Sequence, residues 1–429
     1  MEPRPVSALK EQQRILPTSD AQRIISLDIL RGFAVLGILV MNIQSFSMVG
    51  AAYMNPTAYG SLEGANLWVW ILSHVLAALK FMAIFSMLFG AGIVLMWSRA
   101  QESGRPRAGL HFRRMFWLIL IGLMHAYLLW YGDILFFYGI CGMLVYWFRK
   151  AQPTTLLVIG LVLLCFGSTI YILGGLSMPH WPPQELEEFE QGLWDPPPDK
   201  IAAELEAYQG NWIRQMDERV DSVVMMHTEA FPFFMIWRIT GLMLIGMALF
   251  KLGVFSGVRS PRFYAGLVCV AAVVGLPIVV YGVVENFEQG WSSASFFLGS
   301  QYNYWGSLLI SLGWVGIVML VYKGGWLSQL TVRLAAVGKM ALSCYLLETI
   351  ICTTLFYGHG FGLYGQVSRV GQIVVVVAVW IFLLLLAPFW LKRFQYGPFE
   401  WLWRSLAYWS RLPIRRPAEA SSSSPMEST

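Results

Sequence analysis

The chain has 429 residues, 57% of them hydrophobic and only 13% charged, with 19 Trp, 18 Tyr and a formal charge of +5. These proportions exclude an ordinary soluble domain and place the chain among helical membrane proteins. Its Lys and Arg sit in short stretches beside hydrophobic segments, the pattern of topology signals and not of a nucleic-acid surface.

The polar leader, residues 1–22, reads as disordered and cytoplasmic. The hydrophobic segment after it is too long and too polar for a signal peptide. That segment, Arg23 to Met48, is long enough to span a bilayer yet carries Asp28, Arg31 and Asn42. Charge inside hydrocarbon is costly, so the segment marks a packed interface or a functional cavity. At about 100° per residue, Asp28, Arg31, Val35, Ile38, Asn42 and Ser45 fall within roughly one third of the helix circumference. That stripe must face protein or water.

A hydrocarbon core of about 30 Å needs roughly 20 helical residues. On that rule the chain is all-α and polytopic, with about ten transmembrane helices near 24–48, 66–97, 114–131, 133–148, 155–177, 231–250, 263–284, 304–322, 335–357 and 370–391. The second is long enough to tilt, kink or break near Lys80. Together these segments predict a single transmembrane domain over 23–404, followed by a cytoplasmic tail, 405–429, disordered after about Pro417. Alternate loops collect Arg99, Arg105, Arg107, Arg113 and Arg114, then Arg149 and Lys150, Lys251 to Arg262, Lys323 and Arg333, and Lys392 to Arg416. The loops between spans one and two, and seven and eight, hold no Lys or Arg, so both termini are expected in the cytoplasm and the chain in a bacterial inner membrane.

The one long outward segment, 178–230, passes from PHWPP through ELEEFEQ to Pro196, Pro197 and Pro198. After these, Ile201, Leu205, Tyr208, Trp212, Met216, Val220 and Val223 recur at helical spacing. That pattern predicts an amphipathic helix, either lying on the outer surface or capping a cavity as a lid. The five cysteines, Cys141, Cys165, Cys269, Cys344 and Cys352, lie in apolar segments without metal-ligand spacing and read as buried structural thiols. The glycines of LFGAG at 88–92 and GHGFG at 358–362 fit close helix packing and an outer turn better than a phosphate loop.

Six ordered stretches resemble the YeiB-like bacterial inner-membrane family, which carries domain of unknown function 418. They are DILRGFAVLGILVMNI at 28–43, KFMAIFSMLFGAG at 80–92, RRMFWLILIGLMHAYLLWYGDILFFYGICGML at 113–144, WRITGLMLIGMAL at 237–249, GKMALSCYLLETIICTTLF at 338–356 and YGPFEWLWR at 396–404. The resemblance runs from about residue 23 to 404. It implies a multi-pass inner-membrane protein of poorly defined role, for which transport has been suggested. The first span is also distantly similar to that of the transmembrane acyltransferase group, where Asp-x-x-Arg precedes a His or Asn eleven residues after the Arg. Here the matching residues are Asp28, Arg31 and Asn42, and an amide in place of His cannot act as a general base at neutral pH. In the ninth span Cys344 and Glu348 stand where that pattern expects Asn and Gln.

A helical rise of about 1.5 Å per residue places Asn42, His74, His125, Asp133 and Arg238 at one depth near the outer side. Two imidazoles, a carboxylate and a guanidinium there could supply a general base, its orienting partner and an anion stabiliser. Each could equally make one interhelical hydrogen bond. His125, eight residues before Asp133, is expected too far for direct contact unless the Gly132–Asp133 turn folds back, and Asp133 either shares the site or caps the next helix. On the inner side Asp28 and Arg31 either neutralise each other or receive a phosphate, while Lys80 needs Glu348 or a bound phosphate as its anion.

Three functions compete: transfer of an acyl group from a cytoplasmic donor such as acyl-CoA to an outward acceptor, transport of a small or amphipathic solute past hinges at Pro277, Pro388 or Lys80, and a structural or partner-binding role. His125, His74 and Asp133 are the candidate catalytic groups, and Asp28, Arg31, Asn42, Lys80, Arg238 and Glu348 the candidate binding groups. No metal is implied. The partner common to all three readings is the lipid bilayer, and the sequence does not determine the oligomeric state. A cysteine at Ser421, in a background without the native cysteines, should stay unlabelled by an impermeant thiol reagent outside intact cells; labelling there would overturn the orientation.

Overall fold

The computed structural model describes residues 24–102 and 108–416. The leader 1–22, the loop residues Arg105 and Arg107 and the tail from Pro417 lie outside the described residues. Among the described residues the chain is helical, with one isolated antiparallel bridge, Phe394 to Arg415. The helices used below are α1 (Ile25–Ser47), α2 (Ala65–Leu76), α3 (Lys80–Glu102), α4 (Ala108–Leu128), α5 (Leu135–Val145), α6 (Pro153–Ser177), α7 (Pro198–Gln209), α8 (Arg214–Met225) and α9 (Ile236–Lys251). They are followed by α10 (Pro261–Glu288), α11 (Ser300–Gly324), α12 (Ser328–Lys339), α13 (Ala341–Phe356), α14 (Arg369–Arg393) and α15 (Pro398–Tyr408).

Local chemistry sets many of these ends. Proline opens α6, α7, α10 and α15, where its missing N–H costs nothing. Ser260 and Ser368 cap α10 and α14 by accepting the N–H groups of Phe263 and Gly371. Gly325 closes α11 in the left-handed conformation.

Seven helical runs are long and apolar enough to cross a membrane, and eight if the bent pair α12–α13 is counted as one crossing. The about ten expected spans are helical over most of their length, but three differ from expectation. The stretch expected at 133–148 contains only α5 and a short 3-10 turn, Tyr146–Phe148, and is too short to cross as it stands. The segment expected at 114–131 begins earlier, at Ala108, and carries His111, Arg113 and Arg114 into its first turns. The ninth expected span is not straight, because α12 and α13 meet at Met340 with a bend of 86°.

Two further expectations change. The stretch 201–223 holds two helices instead of one, separated around Gly210, and α8 runs on through a π-helical segment, Met226–Met235, into α9 as a single 38-residue run, Arg214–Lys251. The long second span is interrupted at residues 77–79, where Leu79 takes a φ of 67°, directly before Lys80. Among the thiols, Cys141, Cys344 and Cys352 are buried, whereas Cys165 and Cys269 lie exposed on α6 and α10. Those two helices and α14 turn rows of large apolar side chains outward, including Val158, Leu161, Phe166, Val273, Val374 and Ile381. Apolar surface of that extent is what a lipid-facing helix presents.

The core forms where α1 crosses α3, α12, α13 and α14, and where α9 packs along α3 and α6. The tightest approach joins α1 and α12. A Cβ on Gly32 would strike the Leu334 carbonyl, and one on Gly338 would strike the Asp28 carbonyl. Without a hydrophobic force between helices in lipid, such backbone approach is the main source of helix association. Gly338→Ala should therefore lower stability by about 1–3 kcal/mol through overpacking against backbone that cannot yield. Gly92→Ala, whose added methyl meets nothing within 4 Å, should be neutral or mildly stabilising; thermal unfolding of the detergent-solubilised chain, followed by tryptophan fluorescence, checks both.

Candidate functional site

The polar stripe of α1 faces two cavities. Asp28, Arg31 and Val35 line a smaller one of about 280 Å³, and Asn42 and Ser45 line a larger one of about 680 Å³. Ile38, between them, lines both, as do Ile134 and Tyr345. These three side chains form the common wall.

The smaller cavity is basic. Arg31, Arg99, Arg114, Lys339 and Arg404 line it against two carboxylates, Asp28 and Glu400. Asp28 pairs with Arg31 at 3.0 Å one turn along α1. Glu400 accepts the N–H groups of Leu342 and Ser343 at 2.6 and 3.1 Å and the Ser343 hydroxyl at 2.5 Å. Burial pushes the Glu400 carboxyl up, and these hydrogen bonds oppose the shift. The guanidinium groups of Arg114 and Arg404 lie over the rings of Trp403 and Tyr396, at 4.4 and 4.8 Å. His111 sits in the same wall, its Nε2 donating to the Gly142 carbonyl at 3.0 Å. Because Ile24 and Tyr408 both line this cavity, the two ends of the described chain lie at the same end of the bundle.

In the wall of the larger cavity, Asp133 is held from two sides. Its Oδ1 lies 2.8 Å from His125 Nδ1, and its Oδ2 accepts the Phe136 N–H at 2.8 Å. The turn after α4 does fold back, so His125 and Asp133 touch directly. Asp133 thus both caps the start of α5 and partners the imidazole, which satisfies the two readings its position allowed. His125 itself is buried behind the wall, with Nε2 at 3.0 Å from the Thr349 hydroxyl. Asp133, not His125, faces the cavity.

The remaining candidates separate. Arg238 lines the larger cavity; it donates to the Tyr304 carbonyl at 3.0 Å and to the Ser307 hydroxyl at 2.8 Å, and its Nε has no partner among the described residues. His74 stacks on Trp70, with ring centroids 5.0 Å apart, and lines neither cavity. Among the described residues Lys80 has no anion beside it. The break at residues 77–79 frees the His74 carbonyl to accept from its ammonium at 2.8 Å, and Asn303 of α11 accepts at 2.5 Å. The expected Glu348 partner is on another helix face, fully buried, with one carboxyl oxygen unpartnered and no place in either cavity wall.

Sequence reasoning missed Glu204, Glu218 and Asp221, which α7 and α8 bring to the larger cavity, and Arg114, Lys339 and Arg404 in the smaller one. Glu204 had a signal, since it falls on the apolar face beside Leu205 and Tyr208. Burial pushes its carboxyl up, against hydrogen bonds from the Tyr364 hydroxyl and the Gly50 N–H. In the sequence Arg114 and Arg404 carry the pattern of topology signals, and Lys339 carries no signal of its own. Among the described residues no group of three or more His, Cys, Asp or Glu could hold a metal ion.

Comparison with known proteins gives this architecture a family. Residues 249–410 match the family model described as "Protein of unknown function (DUF418)". YeiB of Escherichia coli K12, an uncharacterised protein, is 32% identical over 399 residues, covering 90% of this chain and 96% of its own length. The chain belongs to the YeiB-like DUF418 family. YxaH of Bacillus subtilis 168, also uncharacterised, is 30% identical over 427 residues, covering 93% of this chain and 98% of its own. An uncharacterised 39.9 kDa protein from the amylase 3' region of Bacillus acidopullulyticus is 26% identical over 404 residues, covering 94% and 99%. Family membership therefore establishes kinship over nearly the whole chain and leaves the chemistry to be read from the cavities.

The Asp28–Arg31 pair gives a direct test of the smaller cavity. Asp28→Asn and Arg31→Gln should each lower stability by about 1–3 kcal/mol, the cost of leaving a buried polar partner unsatisfied. The double change should cost less than the sum of the two, as chemical or thermal denaturation would show; strict additivity would mean that the pair is not coupled.

Proposed function

We propose that the protein transfers an acyl group between the two cavities, from a donor with an anionic carrier in the basic cavity to an acceptor in the larger one. The observation that carries this reading is the common wall of Ile38, Ile134 and Tyr345. An apolar acyl chain can pass between these side chains while the charged carrier stays against Arg31, Arg114 and Arg404. Acyl-CoA fits the donor role, since its phosphates suit guanidinium groups and its acyl chain suits the wall. The excess of basic residues at that end favours the cytoplasmic side for the donor and the outer side for the acceptor.

In this reading the nucleophilic O–H or N–H of the acceptor gives its proton to Asp133 as its heteroatom attacks the acyl carbonyl. The bond from acyl carbon to carrier sulfur breaks, and the thiolate that leaves takes up a proton while Asp133 gives up the one it accepted, which restores the carboxylate. His125, behind Asp133, orients the carboxylate through its Nδ1–H, with Thr349 holding its far nitrogen. His125 is thus a positioning residue acting through Asp133. The Arg238 guanidinium, which lines the same cavity, can stabilise the developing negative charge on the carbonyl oxygen through its positive charge. His74, Lys80 and Glu348 have no part in the step; Lys80 ties α3 to α11 at the helix break.

A transport reading keeps one specific support. Three side chains line both cavities, and Leu79, at the helix break before Lys80, lines the larger one, so the same architecture could open alternately to each side. The two readings separate on product. With isotopically labelled acetyl-CoA and membranes containing the full chain, label should appear covalently in an acceptor. Asp133→Asn should reduce that transfer by about 10²–10⁴-fold, the usual weight of a general base, while His125→Gln should alter its pH profile. Solute flux without any covalent product would sink the transfer reading.

A further inference from the structure

The larger cavity carries a charge pattern that acyl transfer does not require. Glu204 of α7 and Glu218 and Asp221 of α8 line it together, and Arg238 is the sole cation among its lining residues. Among the described residues none of the three carboxylates stands in an ion pair. Both hydrogen bonds that Glu204 accepts, from the Gly50 N–H at 2.8 Å and the Tyr364 hydroxyl at 2.7 Å, fall on Oε1. Its Oε2 is left for the cavity.

Aromatic side chains stand beside these carboxylates. Tyr53, Trp130, Tyr131 and Tyr208 line the same cavity. A Cβ on Gly50 would lie 3.7 Å from both Glu204 Oε1 and the Tyr131 hydroxyl, so the glycine leaves an open notch between carboxylate and phenol. One polar group in this wall that can accept a hydrogen bond has no partner among the described residues: the Tyr208 hydroxyl, on a residue only 2% exposed. A buried unpartnered hydroxyl is expensive unless a ligand satisfies it.

We propose that the larger cavity is a site for an organic cation, an amine- or ammonium-bearing solute held by Glu204, Glu218 and Asp221 among the rings of Tyr131 and Tyr208. The proposal rests on the reading of that cavity as the substrate chamber, and not on the transfer chemistry. Uncompensated carboxylates repel one another and any anion, and a cation relieves both costs. Aromatic rings add attraction for a desolvated ammonium, which a neutral polyol would not gain. Glu218 and Asp221 come from the segment that continues into α9, so the cation would be bound by the first part of the run that carries Arg238.

Calorimetric titration of the full chain in detergent, with no acyl donor present, tests this. Benzyltrimethylammonium should bind saturably, and benzyl alcohol and benzenesulfonate should not. The double change Glu218→Gln with Asp221→Asn should weaken ammonium binding by about tenfold or more. Because neither carboxylate holds a structural hydrogen bond, melting temperature should stay near wild type, and Glu204→Gln provides an independent second variant. Equal binding of the neutral alcohol, or undiminished ammonium affinity in both variants, overturns the proposal. Ammonium binding without acyl transfer would uphold this site and sink the transfer reading; transfer to a neutral acceptor without ammonium binding would do the reverse.

Discussion

The whole arrangement depends on how α1 carries polar groups through an apolar bundle. Its backbone meets that of α12 at Gly32 and Gly338, closer than any side chain would allow. That contact borders the stripe from Asp28 to Ser45, whose residues line the interior cavities. A bulkier residue at either glycine would push the helices apart and tilt a charged pair toward lipid, where it has no solvent.

The bent pair α12–α13 follows from the same constraint. Gly338 needs to lie flat against α1, whereas α13 must bring Tyr345 to the common wall and Thr349 to His125. A straight helix cannot satisfy both, and the chain turns by 86° at Met340. The break before Lys80 solves a similar problem. An ammonium buried at mid-bundle, with no carboxylate beside it among the described residues, is satisfied by a carbonyl that a continuous helix would have used itself, together with the Asn303 amide. In both places irregular backbone lies inside the protein, where neighbouring helices and side chains can satisfy the groups it frees.

The two cavities differ in chemistry because different parts of the chain complete them. The smaller is lined in part by α15, whose Glu400 is held by the start of α13 and whose Trp403 and Arg404 also line the cavity. The larger is lined in part by α7 and α8, which supply the carboxylates Glu204, Glu218 and Asp221 and the phenol of Tyr208. Carboxylates lining one cavity and arginines lining the other give the interior an electrical polarity along its length.

Much of this was written in the sequence by itself. Composition and run lengths determined the helical membrane class, and the α1 stripe was legible because helical periodicity alone decides which residues share a face. The depth argument grouped Asn42, Asp133 and Arg238, which do line one cavity, but it also gathered His74. Depth is one coordinate of three, and it cannot say which side of the bundle a helix occupies. The His125–Asp133 contact needed a turn to fold back, and the partner of Lys80 depended on a helix break and on a residue more than two hundred positions away. Such contacts come from packing, which no local pattern encodes. Only the tertiary structure decided that the imidazole stands behind the carboxylate, that two cavities share a wall of three side chains, and that α7 and α8 line the larger one, because each depends on which helices lie side by side.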